Sequence, residues 1–400
     1  MEEMNKYELG DVCSRLSSGR GISSEEILDS GPYPVIGGNG IRGYALRSNF
    51  SGECGVIGRQ GAYCGNVRFF SGEAYMTEHA VVVVGNEKAD TRYLTYLLST
   101  MHLGSLSAQS AQPGLSVKTL AKQEIRLPKI GVQKKVSSIL SSLDNKIELN
   151  NRINHNLEQQ AQALYKSWFV DFEPFKKGRF IDSELGMIPE GWHVGTISEL
   201  IADTYNGDWG KDIQEGSYSK RVFCIRGADI PSIKVGNSGK MPVRYIQEKH
   251  FDAKFLKDND LVIEISGGSP TQSTGRFCRI TDSLISRYDN SLICTNFCKA
   301  LRPIPGYSLF ISYLWNELYE KGVMFSYENG TTGIKNLDLT GLIDGEPIII
   351  PEKDAIQEFS RAVAVMNQQI LFNGHENEKL AEQLDYLLPK LMNGEVLSSF

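Results

Sequence analysis

The chain has 400 residues, 41% of them apolar and 22% charged, with a formal net charge of −6. Those values fit a soluble globular protein of two or three domains and exclude a disordered or fibrous chain. Charge is balanced region by region, with 13 basic and 13 acidic side chains in residues 1–130, 17 against 19 in 191–351, and 4 against 8 in 352–400. No block has the basic excess of a nucleic-acid binder, so charge alone argues against one unless folding gathers basic residues or a partner supplies them. No run approaches ~18 apolar residues, and the start at Met1–Lys6 lacks a basic-then-apolar leader, so a cytoplasmic location is expected. Seven cysteines, an odd count without framework spacing, fit reduced thiols.

Residues 1–130 read as a globular domain of short strands and glycine turns. Tyr33–Tyr44 holds four glycines and is expected to be a loop. Cys54–Phe70 is expected to form a hairpin whose polar tip is Arg59-Gln60-Gly61-Ala62-Tyr63-Cys64-Gly65. Ala80–Val84 reads as a buried strand, Arg92–Met101 as a helix, Gln109–Leu115 as a polar loop and Glu124–Pro128 as a final strand.

From Val136 to Trp168 apolar residues recur at alternating steps of four and three, a heptad seam held for about 33 residues, roughly 50 Å of helix. The predicted helix occupies 131–175 and a linker 176–190. A second domain then fills 191–351, and a second heptad helix fills 352–400, its seam running from Phe359 to Leu391. Both seams break at the same two places, Asn150 and Asn154 in one, Asn373 and Asn377 in the other, at a constant offset of 223. Matched polar breaks inside an apolar seam are a register device, because only aligned asparagines can satisfy one another. The reading is that the two helices pack together; the alternative is that each is an ordinary core helix of its own domain.

The second domain repeats the first. Trp192–Ile197 echoes Tyr7–Val12, the hairpin around Ser266–Arg276 stands where Arg59–Gly65 stood, and Ile348–Pro351 matches Ile125–Pro128. The order domain, helix, domain, helix is a tandem repeat of about 200 residues. Its offset grows from 185 to 223, so the second domain carries 38 extra residues, much of the surplus expected in Asp203–Gln247. The fold class is therefore α+β: two similar domains joined by two long helices. An approximate two-fold axis relates such repeats, so the helices run antiparallel as a coiled coil.

Catalytic signatures are missing. Gly236-Asn237-Ser238-Gly239-Lys240-Met241 lacks the spacing and the Ser/Thr of a phosphate-binding loop, and no Asn/Asp-Pro-Pro-Tyr/Phe stretch marks an adenine methyltransferase. The six histidines are scattered, and Cys294 and Cys298 read as small buried side chains on one strand. Ser266–Ser269 does not meet the Gly-x-Ser-x-Gly nucleophile pattern. The chain reads as non-catalytic.

Taken together, Tyr33-Pro-Val-Ile-Gly-Gly-Asn-Gly-Ile-Arg-Gly43, Ile57-Gly-Arg-Gln-Gly-Ala-Tyr-Cys-Gly65, Trp168-Phe-Val-Asp-Phe172, Leu185-Gly-Met-Ile-Pro-Glu-Gly-Trp192 and Ser266–Gly275 carry a resemblance over essentially the whole chain. The chain resembles the DNA specificity subunit of type I restriction–modification enzymes. The resemblance implies two target-recognition domains, each reading one half of a split DNA site, with the helices as a ruler between them. It implies two methylation subunits and two restriction subunits as partners. S-adenosylmethionine, ATP and Mg²⁺ then belong to those partners, and no cofactor to this chain.

Arg59 and Gln60 have the side chains that read guanine and adenine bidentately, and Gln272 and Arg276 are their expected counterparts in the second domain. Asn39, Arg42, Tyr63, Ser269 and Thr331 are candidate DNA contacts, several of them to backbone or sugar. Gly58, Gly61, Gly267 and Gly268 are expected to permit close backbone approach. Two rival readings are a coiled-coil scaffold binding only proteins and an enzyme with an unrecognised hydrolytic site. The first predicts no salt-dependent DNA affinity, the second activity of the isolated chain with Mg²⁺.

Overall fold

The computed structural model describes residues 4–107, 114–267, 269, 271–330 and 334–395. It divides into two compact units, Met1–Lys146 with Leu380–Phe400, and Ile147–Lys379.

In the first unit, β1 (Asn5–Glu8) leads through a 3₁₀ turn, Leu9–Val12, into β2 (Cys13–Ser18). β3 (Tyr33–Gly37), β4 (Gly40–Ala45), β5 (Phe50–Gly58), β6 (Val67–Met76) and β7 (Ala80–Gly85) follow, then α1 (Thr91–Thr100), α2 (Val117–Ala121) and β8 (Glu124–Leu127). β1 pairs with β8, and the other six strands form one sheet in the order β2-β7-β5-β6-β3-β4, antiparallel except for β3 beside β6. The valines of β7 lie between two neighbours with both faces covered, which is why that strand reads as an unbroken apolar run. Strand alternation sorts them: Val81 and Val83 face α1 through Tyr93, Leu94 and Leu98, while Ala80 and Val82 pack with Cys54, Val56 and Met76. Asp90 caps α1 by accepting the Tyr93 amide at 2.8 Å.

Tyr33–Tyr44 is a two-stranded hairpin rather than the expected loop. Its glycines are what allow it: Gly40 and Gly43 hold φ of +106° and +147°, and the turn is only Gly38-Asn39.

The first long helix, α3 (Ile130–Phe169), begins in this unit and ends in the second. It stops six residues before the expected boundary, and Phe172 turns left-handed at φ +54°. Residues 176–190 are not a bare linker. β9 (Phe180–Ile181) pairs with β10 (Ile188–Pro189), Ile188 is buried, and Phe172 and Phe175 pack edge-on against Trp192.

The second unit continues with β11 (His193–Gly195), β12 (Ile201–Asn206), β13 (Tyr218–Ile225), α4 (Ile230–Lys234), β14 (Val243–Gln247) and α5 (Glu248–Lys254). Next come β15 (Leu261–Glu264), β16 (Ser266–Gly267), β17 (Phe277–Arg279), α6 (Asp282–Arg287), β18 (Leu292–Cys294) and β19 (Cys298–Pro303). The unit closes with α7 (Ser308–Glu320), α8 (Val323–Ser326), β20 (Glu328–Asn329), β21 (Lys335–Leu337), α9 (Leu339–Gly345), β22 (Ile348–Ile350) and α10 (Lys353–Met392), the last turns of which belong to the first unit.

Sheet order repeats: β12-β19-β15-β17 matches β2-β7-β5-β6, and β13, β14 and β18 match β3, β4 and the end of β6, again with one parallel pair. Even the bulge at Cys13/Arg15 recurs at Ile201/Asp203. Besides α5, which has no counterpart between β4 and β5, two additions distinguish the second domain. The two-residue β3–β4 turn becomes Arg226–Pro242 with α4, and α6 interrupts what is a single strand, β6, in the first domain. Cys294 and Cys298 sit on two strands rather than one, both buried; burial pushes the Cys298 thiol up to about 12.

In the second unit α3 and α10 are joined at the asparagines. Asn150 donates to Asn377 at 2.8 Å and Asn373 donates to Asn154 at 2.8 Å. All four are buried, the most exposed at 8%. Numbers rise along one helix as they fall along the other, so the pair is antiparallel. With the offset of 223, each of these bonds maps onto the other, and the local two-fold axis runs between them. Further along, Ala161 and Tyr165 pack with Phe359 and Val363 in one core. Within the first unit, Val136 and Leu140 share a core with Leu387 and Leu391.

Asn373→Leu should leave the buried Asn154 amide short of a partner and cost about 1–3 kcal/mol. The double replacement Asn154→Leu/Asn373→Leu should recover part of that loss. Urea unfolding of the four proteins of this cycle checks it; additive losses would show that the two amides do not depend on one another.

Candidate nucleic-acid interface

One end of each domain is closed by the same backbone ladder. In the first domain Gly58 N–H donates to Asn66 O, Gly65 to Gly58, Arg59 to His79, Leu115 to Arg59, Thr77 to Ile36 and Ala80 to Thr77, all at 2.8–3.0 Å. In the second, Glu264 donates to Arg276, Gly275 to Glu264, Ile265 to Phe297, Leu337 to Ile265, Thr295 to Ile225 and Cys298 to Thr295, all at 2.8–2.9 Å. Six bonds for six bonds, this fixes which residues are equivalent. Gly65 and Gly275 hold φ of +84° and +93° at the same rung.

In the first tip, a Cβ on Gly58 would overlap the carbonyl oxygens of Tyr63 and Gly38, so the close approach expected there is real. Gly61 has open space around it and serves the turn through its φ of +77°. Gln60 and Tyr63 are exposed, and Gln60 bridges to Gly114. Arg59 is half-buried and donates Nε–H to Leu115 O at 3.3 Å. Asn39 is exposed, and both its carbonyl and side-chain oxygens accept from Arg68, at 2.8 and 3.0 Å. Arg42 is exposed, its side chain lying over Gly37. Arg68 was not among the sequence candidates; its signal was its place on the returning strand two residues after Asn66. Among the described residues, Arg42, Arg59 and Arg68 have no carboxylate partner, so this tip is cationic in a chain that is acidic overall.

The second tip differs from the expectation. The ladder pairs Arg59 with Ile265 and Gln60 with Ser266, not with Gln272 or Arg276. Arg276 is corrected as a base reader: Nε and Nη2 donate to the two oxygens of Glu264 at 2.7 and 2.6 Å. Glu264 is 4% exposed, and its hydrogen bonds raise the arginine's pKa, so the planar fork is committed inside the domain. Ser269 organises the tip turn by accepting the amides of Thr271 and Gln272, leaving the Gln272 side chain exposed. Gly267 holds φ +144° beside Glu264; Gly268 and Thr331 lie outside the described residues.

Residues that sequence reasoning missed here are Ser266, Asn336, Lys335 and Phe297. Ser266 Oγ donates to Asn336 Oδ1 across β16–β21, and Phe297, at the rung of His79, is 55% exposed. Lys335 pairs with Glu328 at 2.9 Å. Burial alone would raise the Glu328 carboxyl; bonds from Lys335 and Thr274 outweigh it and hold it below its usual range. The cations of this tip are thus largely neutralised by its own carboxylates.

Each of the two α+β domains presents an exposed polar tip and packs on α3 and α10; among the described residues there is no metal-ligating cluster and no helix long and apolar enough to cross a membrane. Residues 1–159 match the protein-family model described as a type I restriction modification DNA specificity domain. The specificity subunit of the type I restriction enzyme EcoprrI from Escherichia coli is 38% identical over 146 residues, which is 36% of each chain. That of MjaIX from Methanocaldococcus jannaschii is 26% identical over 331 residues, 78% of this chain and 71% of that protein. The crystal structure of a type I S subunit from M. genitalium shares the fold at a TM-score of 0.65 and 16% identity, covering 98% of this chain and 96% of that one. The chain is thus similar to type I restriction–modification specificity subunits, in sequence over residues 1–159 and in fold over nearly its whole length.

Arg276→Ala should strand the buried Glu264 carboxylate and destabilise the second domain by roughly 2–4 kcal/mol, read in urea unfolding. Arg68→Ala should leave stability nearly unchanged but weaken DNA binding by the complex and flatten its salt dependence by about one unit of log–log slope.

Proposed function

We propose that this chain is the specificity subunit that reads a bipartite DNA site, one half per domain, and directs adenine methylation or restriction by partner subunits. The observation that carries this is the ladder: the same six backbone bonds frame both tips, while the side chains they present differ. A fixed frame with exchangeable polar side chains is what sequence reading on one scaffold requires. Gln60 with Arg59, Arg42 and Arg68 would engage the first half-site. Ser266, Asn336, Gln272 and Phe297 would engage the second. Arg68 and Asn39 form a unit whose bonded guanidinium suits a phosphate, which positions without specifying.

The chain's balance of charge fits a role in which partners help to enclose the DNA. Two methylation subunits and two restriction subunits are the partners this reading calls for. S-adenosylmethionine, ATP and Mg²⁺ would be held by them, since the catalytic signatures for their use are missing from this sequence. The asparagine-locked helices would fix the register of the spacer between half-sites.

The test is a genome-wide map of N6-methyladenine in the host with and without the chain, together with purification of the native complex. A split motif methylated in both halves, and lost on deletion, is the expected outcome. An unchanged methylome, with no methylation subunit in the complex, would favour a protein-binding scaffold instead.

A further inference from the structure

Two of the additions that set the second domain apart from the first, Arg226–Pro242 and α6, converge on one stretch of α10. The inserted loop is stitched to itself by the buried Asp229, which accepts the Arg226 and Lys240 amides at 3.0 and 2.9 Å and both arms of the Arg226 guanidinium. Its far end meets the helix. Ser238 gives its amide and its hydroxyl to the two oxygens of Glu378, at 3.1 and 2.7 Å. Arg287, at the end of α6, lies 3.6 Å from Glu378 and donates to Ser238 Oγ at 3.1 Å. Tyr288 donates to the Ser238 carbonyl at 3.0 Å.

The helix itself is cut to receive the loop. Gly374 stands mid-helix, where glycine costs about 1 kcal/mol relative to alanine. A Cβ there would overlap the Val235 carbonyl oxygen, and Gly236, at φ +94°, approaches the Leu371 carbonyl in turn. The equivalent positions of α3, by the offset of 223, are Asn151 for Gly374 and His155 for Glu378, and both are exposed. Glycine and acid thus occur only in the repeat that has the additions.

We infer that the loop and α6 form a brace that fixes the second domain on α10, and that Gly374, Glu378, Ser238 and Arg287 are positioning residues for the length of the spacer the complex accepts. The inference rests on the bipartite reading proposed above. A domain free to pivot on its helix tolerates a half-site displaced by one base pair, about 3.4 Å along the duplex. A braced domain does not.

The experiment uses the full chain and its native methylation complex. Gly374→Ala, which would stabilise an unencumbered helix, and Glu378→Gln, which keeps the shape of the side chain, are compared with the parent. Hydrogen exchange at Ser238 and Lys240 should accelerate about tenfold in each, while the amides of β15 stay protected. On duplexes whose spacer is one base pair shorter or longer than the native motif, methylation should rise toward the native rate in both variants, with the bases of each half-site unchanged. Unaltered exchange overturns the brace. So does accelerated exchange with an unaltered spacer profile, or a change in the half-site bases. A parent complex that methylates no bipartite site overturns the functional reading, and the inference falls with it.

Discussion

Two hydrogen bonds, Asn150 to Asn377 and Asn373 to Asn154, hold the central constraint of the structure. An apolar heptad seam by itself is degenerate, because sliding one helix by seven residues again places apolar groups opposite apolar groups. Four buried amides remove that degeneracy. In a register slipped by one heptad they would face apolar seam residues such as Leu384, Leu380, Ile147 or Leu143 without partners, at a cost of about 1–3 kcal/mol for each unsatisfied group. The local two-fold axis passes between the two bonds, so the symmetry of the tandem repeat is expressed there in its simplest form.

The domains use backbone and side chain for different purposes. The ladder is built from main-chain groups and survives wholesale replacement of side chains, which is how Gly58 can correspond to Glu264 and Arg59 to Ile265. Replacing Gly58 by Glu264 in the same frame brings a buried acid, and Arg276 is consumed in neutralising it. The two tips therefore differ in electrostatics as well as in sequence. The first carries arginines without a carboxylate partner among the described residues, and the second is largely self-neutralised. α1 and α7 seat on the long helices through matched polar contacts: Tyr96 donates to Asp144, and Asn367 donates to Tyr313 at 2.7 Å. Asp144 and Asn367 are again 223 apart.

The parts of the fold legible in the sequence were those with a local period. The heptad seams, the matched asparagines, the buried valine strand and the domain-helix-domain-helix order could be read directly. The tip residues were legible in one domain only. Arg59 and Gln60 follow a strand without interruption, so their place near the end of a hairpin is a local property. In the second domain the loop is longer, and counting along Ser266–Arg276 gave no means of telling an exposed arginine from one folded back on an acid twelve residues earlier. The glycine-dense hairpin Tyr33–Ala45 was misread for a related reason. Glycine density signals backbone freedom, and only pairing partners decide whether that freedom is spent in a loop or in a tightly apposed pair of strands.

The sequence by itself determined the repeat, the helices and the register device, because periodic burial and paired polar breaks act over a few turns of chain. Tertiary structure alone decided which residues of the two tips are equivalent, where Arg276 points and why a glycine, Gly374, stands inside a continuous helix. Each of these depends on groups distant in the chain: Glu264 beneath Arg276, Leu337 against Ile265, and the Val235 carbonyl over Gly374. Contacts at such separations leave no period in the sequence, and their geometry exists only once the chain has closed upon itself.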